Sequence, residues 1–240
     1  MKIKQIVSAL LSSTVLLSGV MISSVNAEEY QDKKDEVIML VNEQRAVQGK
    51  EILYESALLN QAADIRAKEI VSNFSHTRPD GTSGYKVVYE VGATYMYVGE
   101  NIAYGYSTEA DVMNGWMNSS GHRANILNDN YHAMGVGVAY NSGTYYWVQL
   151  FTDGIGLSPM YTNGNINRDD VINSEDASLI LSDSASIGAG GTGVLTRMQR
   201  SFSDLNQDGN VNSYDATLLL GYTAYVGAGG SESIETYLGR

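Results

Sequence analysis

Apolar residues recur at helical spacing early in the chain. Val37, Leu40, Val41 and Val47, with Asn42, Glu43 and Arg45 between them, predict a helix over 34–47, ended by Gly49 and Lys50. Ser56 is placed to cap a second helix reaching about Ser72, in which Leu59, Ala62, Ala63, Arg66 and Ile70 alternate core and solvent faces. A short helix is expected over 85–91. Ser107 or Thr108 caps another, with Glu109 and Asp111 in its first turn and Val112, Met113 and Trp116 as its apolar stripe. The period then changes to two. Met134–Tyr140 and Thr144–Thr152 read as strands joined by a hairpin turn at Asn141-Ser142-Gly143. Helices precede strands instead of alternating with them, so the fold class is α+β. After a short linker over 154–162 the pattern shifts to two acidic turns, each followed by a short apolar helix, with a further helix near 194–202.

Those two turns are copies of one motif, 39 positions apart. The second runs from Asp204 to Asp215. Side-chain oxygens stand at Asp204, Asn206, Asp208, Asn212 and Asp215, Asn210 offers a backbone carbonyl, and Gly209 sits at the sharp bend. The first runs from Asn165 to Asp176, with Asn167, Asp169, Val171 and Asn173 at the matching places. Hard oxygen donors at this spacing suit Ca²⁺. The first loop has Asn165 in place of a carboxylate and Asp170 where glycine is preferred, so it is expected to be the weaker of two calcium sites.

Composition narrows the setting. Lys2 and Lys4, an apolar run from about Ile6 to Val20, and Val25-Asn26-Ala27 read as a secretory signal peptide over 1–27. No other stretch is long and apolar enough to be read as a transmembrane anchor. There are no cysteines, so an exported chain is held by core burial and by metal. The net charge of −12 is spread over both halves, which argues against nucleic acid and against anionic membrane as partners.

Residues 163–240, comprising two loop–helix units and a C-terminal tail, resemble the type I dockerin family, which has Asp at loop position 12, as Asp176 and Asp215 are here. The resemblance implies a small all-α module folded by calcium. It also implies docking onto a cohesin module of a scaffoldin or cell-surface protein, as in a cellulosome. Partner choice would fall on loop positions 10 and 11: Ser174 and Glu175, then Ser213 and Tyr214.

In the first domain, taken as 28–153, two of the three histidines stand in distinctive stretches. His76 ends Phe74-Ser75-His76, Glu100 lies in Gly99-Glu100-Asn101-Ile102-Ala103, and His122 lies in Gly121-His122-Arg123. Two imidazoles and a carboxylate suit a divalent metal such as Zn²⁺, or a carboxylate that orients a histidine for proton transfer. From the residues alone, hydrogen-bonded polar groups stabilising a loop-rich domain are the favoured account. Together with Val41-Asn42-Glu43-Gln44-Arg45, Gly135-Val136-Gly137-Val138 and Trp147-Val148-Gln149, these stretches resemble the CAP superfamily in its bacterial SCP-like branch. The resemblance implies an α-β-α sandwich with an open cleft holding two His and two acidic residues. His76, Glu100 and His122 match three of the four. After Trp116, where the second acid is expected, stand Met117, Asn118 and Ser119, and Glu90 is the substitute from another loop. Tyr95, Tyr97, Tyr104 and Tyr106 are candidates to line a carbohydrate or peptide groove.

Whether the domain is an enzyme stays open at this level. The readings are a non-catalytic binder of a wall, protein or lipid ligand, a metal-assisted hydrolase of peptidase type, and an accessory to plant polysaccharide breakdown. All three place the protein outside the cell, attached to a cellulosome or cell surface through cohesin.

Overall fold

The computed structural model describes residues 29–169 and 171–240. The signal peptide expected over 1–27, and Asp170, lie outside the described residues. The described chain is already helical at residue 29, five residues before the periodicity indicates, and this helix (α1) runs to 47. It is followed by β1 (Tyr54–Glu55), α2 (Ala57–Ser72), α3 (Lys86–Glu90), β2 (Val98–Tyr104), α4 (Glu109–Asn118), α5 (Ser120–Ile126), β3 (Ala133–Asn141) and β4 (Thr144–Thr152). The strands form one sheet in the order β1-β3-β4-β2, with β1 parallel to β3 and the other pairings antiparallel. Ser142 and Gly143, both at positive φ, close the β3–β4 hairpin where the sequence placed it.

Alternation along the strands builds three layers. Met134, Val136, Trp147 and Phe151 face α1, α4 and α5, packing on Val37, Ile38, Val41, Val112, Trp116 and Ile126. Val148, Leu150 and Ile102 face α2 and α3, packing on Leu59, Ala63, Ile70 and Val87. On that second side β3 presents Gly135 and Gly137. A Cβ at Gly137 would stand 2.1 Å from the Ala63 carbonyl oxygen, and one at Gly135 2.2 Å from the Leu59 carbonyl carbon. The two glycines let the α2 backbone lie directly on the sheet, which fixes the position of every α2 side chain that reaches β2.

The second region is helical: α6 (Ser174–Gly188), α7 (Arg197–Ser203), α8 (Ser213–Gly227) and α9 (Ile234–Tyr237). Ile166, Ala177 and Ile180 of the first repeat meet Leu205, Ala216 and Leu219 of the second in one core. The segment between the regions is packed down. Tyr54 donates to the Gly154 carbonyl at 2.9 Å, and the Met160 amide donates to the Glu55 carbonyl at 2.7 Å. Tyr161 stacks on Phe202 of α7 with ring centroids 5.0 Å apart, and Met198 of α7 enters the core beside α1.

Candidate functional site

Glu100 projects from β2, an edge strand, on the α2 side of the sheet. Its carboxylate is fully buried and held by Arg66 of α2: Nε donates to Oε2 at 2.8 Å and Nη2 to Oε1 at 3.4 Å. The sequence reading put Arg66 within an alternation of core and solvent faces. It is buried, with its remaining donors on Glu69 Oε2 at 2.6 Å and the Ser75 carbonyl at 2.7 Å. That last bond anchors the loop that carries His76. His76 Nδ1 then meets Glu100 Oε1 at 2.7 Å, while 57% of the His76 side chain stays in solvent. Gly84 leaves room for the carboxylate, since a Cβ there would come within 2.7 Å of Glu100 Oε2.

His122 arrives on α5 from the other side of the sheet. A chain of amides docks that helix on β2. Asn101 donates to the His122 carbonyl at 3.1 Å and to Gln149 Oε1 at 2.9 Å, and Asn125 donates to Asn101 Oδ1 at 2.9 Å and to the Glu100 carbonyl at 3.2 Å. The two histidines therefore approach the outer edge of β2 from opposite faces of the sheet, near enough for His76 to act electrostatically on His122. Burial, and secondarily the nearby His76, hold His122 below the ordinary histidine range, which favours its neutral form.

The expected substitute acid has a cationic partner. Glu90 is claimed by Arg78 at 2.5 Å, and Arg78 also forks onto Glu69. Residues 117–120 at the α4–α5 junction include no acid, and Asn118 and Ser119 line a polar groove of about 630 Å³ whose carboxylate is Asp111, from the first turn of α4. Three of the four tyrosines have different partners. Tyr104 packs edge-on to Phe74 and parallel to Tyr146, Tyr95 stacks on Tyr89, and Tyr106 gives its carbonyl to Trp147. Among the described residues no group of three His, Cys, Asp or Glu is placed to hold a metal. A zinc centre would thus have only His76 and His122, because Glu100 is already spent on Arg66.

In the helical region each acidic loop folds the same way. The amides of Ile166 and Asn167 donate to Asp176 Oδ1, and that of Asn173 to Asp176 Oδ2. In the second loop Leu205, Asn206 and Asn212 do the same for Asp215. Asn167 and Asn206 each donate to the next acid, Asp169 or Asp208. Asn173 and Asn212 each complete a capping box at the start of α6 and α8. Asp176 and Asp215 are fully buried, and neither forms an ion pair with a cationic side chain among the described residues. Burial pushes the Asp215 carboxyl up. Buried acids of this kind, on loops rich in Asn and Asp with Val171 and Asn210 at the seventh position to offer backbone carbonyls, fit a hard divalent cation that would supply the missing charge. The left-handed residues at the fourth loop position are Arg168 and Gln207, a constraint that the sequence reading assigned only to the sixth position. Ser174, Glu175, Ser213 and Tyr214 stand exposed at the starts of α6 and α8.

The comparisons with known proteins divide at the same place. Residues 38–151 match the model of the cysteine-rich secretory protein family, CAP, and residues 163–222 that of the dockerin type I domain. Similar curated proteins include the uncharacterized protein YkwD of Bacillus subtilis, 37% identical over 131 residues, or 54% of this chain and 48% of that protein. The uncharacterized membrane protein YlbC of the same organism is 40% identical over 65 residues, 27% of this chain and 19% of that protein. The chain thus spans about half the length, or less, of these relatives. Among solved structures, an extracellular protein containing a SCP domain from Bacillus anthracis is 26% identical, with a TM-score of 0.48 over 51% of this chain and 41% of that one. Dockerin domains bind Ca²⁺, and no helix among the described residues is long and apolar enough to cross a membrane. Residues 38–151 belong to the CAP family, and residues 163–222 are a type I dockerin domain.

Proposed function

We propose that this protein is a secreted, dockerin-borne cargo: the dockerin takes up two calcium ions and docks to a cohesin module on a scaffoldin or cell surface, delivering a CAP domain that binds a wall, protein or lipid ligand at its cleft. The observation that carries the docking half is the pair of loops with matching hydrogen bonds, each closed on a buried carboxylate, Asp176 or Asp215, whose hydrogen bonds among the described residues come from backbone amides. Asn165, Asn167, Asp169, Val171, Asn173 and Asp176 would hold one ion, and Asp204, Asn206, Asp208, Asn210, Asn212 and Asp215 the other. The bound ion supplies positive charge that ties each loop to the helix after it.

The cleft supports binding over hydrolysis. Glu100 accepts from Arg66 at both oxygens and meets His76 at Oε1, so the buried carboxylate is held by the arginine and orients an imidazole. His76 keeps Nε2 toward solvent and His122 is favoured neutral, which gives two imidazoles suited to hydrogen-bonding a polar ligand. The test is capture on a panel of immobilised cohesins with calcium and with EDTA. Capture by at least one cohesin, abolished by EDTA and by Asp208→Ala with Asp215→Ala, is expected. Equal recovery with and without EDTA would overturn the docking reading. Turnover of a peptide or wall substrate that vanishes in His76→Ala/His122→Ala would overturn the binding reading.

A further inference from the structure

Loop one carries a single basic residue, Arg168, at its fourth position. A positive side chain inside a cation loop opposes the ion, and this loop is already short of the carboxylate that Asp204 provides in its twin. The structure turns the guanidinium out of the loop and into the other domain. Arg168 Nη2 bonds Asp35 of α1, and the guanidinium lies over the Tyr161 ring, 4.3 Å from its centroid. Asp35 is buried, and it also accepts from Tyr161 Oη at 2.8 Å and from Gln31 at 2.7 Å. The socket is thus built from both sides of the domain boundary. It is braced by the Tyr161–Phe202 stack and by Arg197 of α7 on Glu36 and Glu43 of α1. Loop two has Gln207 at the equivalent position, uncharged and equally left-handed at φ 58° against 68° for Arg168.

We propose that Asp35 of helix α1 is a positioning residue for the first calcium loop: by neutralising Arg168 and holding it outside, it lets loop one take up calcium, and calcium in turn tightens the contact between the loop and α1. The coupling is reciprocal, because an ion that favours the seated arginine must favour the seated domain by the same factor. This rests on the calcium reading of the loops. The docking faces on α6 and α8 remain exposed while the contact is made, so the cargo is presented to its partner in a fixed orientation.

The experiment is calorimetric calcium titration of the full chain, as wild type, Asp35→Asn, Arg168→Gln and the double variant, with Asp208→Ala used to assign the heats to loop two. Asp35→Asn is expected to weaken the loop-one site by about fivefold or more, the lower end of ordinary coupling, and to leave loop two unchanged. In the Arg168→Gln background, where loop one copies Gln207, Asp35→Asn is expected to have no further effect. Hydrogen exchange gives a readout away from the ion: calcium should slow the amides of 31–38 in wild type and leave them unchanged in Arg168→Gln. Unchanged loop-one affinity in Asp35→Asn, an equal loss at both loops, or amides of 31–38 indifferent to calcium in wild type would each overturn the coupling. Absence of calcium heat at either loop in wild type would instead remove the calcium reading itself, and the coupling with it.

Discussion

Glu100 divides its carboxylate between a fully buried arginine and a solvent-exposed histidine: Arg66 Nε lies 2.8 Å from Oε2, and His76 Nδ1 lies 2.7 Å from Oε1. The arrangement makes Arg66 the foundation of the cleft. It pairs with Glu100 and Glu69 and ties down the Ser75 carbonyl one residue before His76. Arg66→Met keeps most of the volume and removes the charge, leaving Glu100 buried with only the exposed His76 beside it. The expected loss is about 3–5 kcal/mol by urea denaturation. Adding Glu100→Gln should recover a large part of it. A single variant as stable as wild type would show that the pair contributes nothing net.

The depressed His122 predicts a pH dependence with a definite sign. Its folded pKa lies below its unfolded one, for which burial is the leading cause and His76 the next. As pH falls through the unfolded value of about 6.5, the unfolded chain gains a proton that the folded chain refuses. Stability is therefore full above that value and declines toward acid. His122→Gln should flatten the decline between pH 7.5 and 5.5, measured as the denaturation midpoint at fixed saturating calcium. An identical slope in the variant would count against the shift.

Much of this fold is legible in the sequence wherever one face is apolar and the other wet. Helices α2 and α4 have that contrast; strands β3 and β4 are covered on both faces and are legible instead as two β-rich runs joined by the Asn141-Ser142-Gly143 turn, and the bounds differ by a residue or so from the pattern. Strand β2 gives neither sign. Six of its seven residues are at least partly covered, five of them buried, yet they include Gly99, Glu100 and Asn101, so it shows neither alternation nor an apolar run. Its polar residues are tolerated because Arg66, Gln149 and Asn125 satisfy them, and those partners are distant in the chain. An arginine on the buried stripe of α2 was the available sign. The acidic loops are legible because their ligand spacing is local. The seating of Arg168 on Asp35, 133 residues away, is not.

Glu55 gives the opposite slope to His122. Burial first, and the neighbouring Asp35 second, push its carboxyl up to about 7. One oxygen accepts from Asn60 at 2.5 Å and from Gln31 at 3.3 Å, while the other, Oε2, is buried without a partner. Between the ordinary glutamate range and pH 7 the folded chain keeps a proton that the unfolded chain releases. Its contribution is present at the acid end of that window and is lost as pH rises through about 7. Glu55→Gln should remove this fall and raise stability at pH 8 by on the order of 1–3 kcal/mol. Denaturation at pH 5 and pH 8, with calcium saturating at both, measures it. A variant that loses stability equally at both values would show that Glu55 is needed as a carboxylate.

The two docking rims are equivalent in backbone and unequal in chemistry. Helices α6 and α8 have the same length, the same capping box and exposed apolar residues at matching positions, Leu181 with Leu220 and Ile187 with Val226. At loop position 11, however, one rim carries Glu175 and the other Tyr214, whose side chain is 56% exposed. A solvent-facing tyrosine can bury a large rigid ring at small entropic cost, whereas an exposed glutamate loses hydration when covered. A single cohesin is therefore expected to choose the α8 rim. Tyr214→Ala should weaken its binding by about 2 kcal/mol, roughly thirtyfold in Kd, while Glu175→Ala should leave it within about twofold or improve it. Both substitutions lie on the surface and outside the calcium ligands, so calcium affinity and melting temperature should stay at wild-type values and serve as the control. Equal losses from the two variants would mean that the partner uses both rims interchangeably.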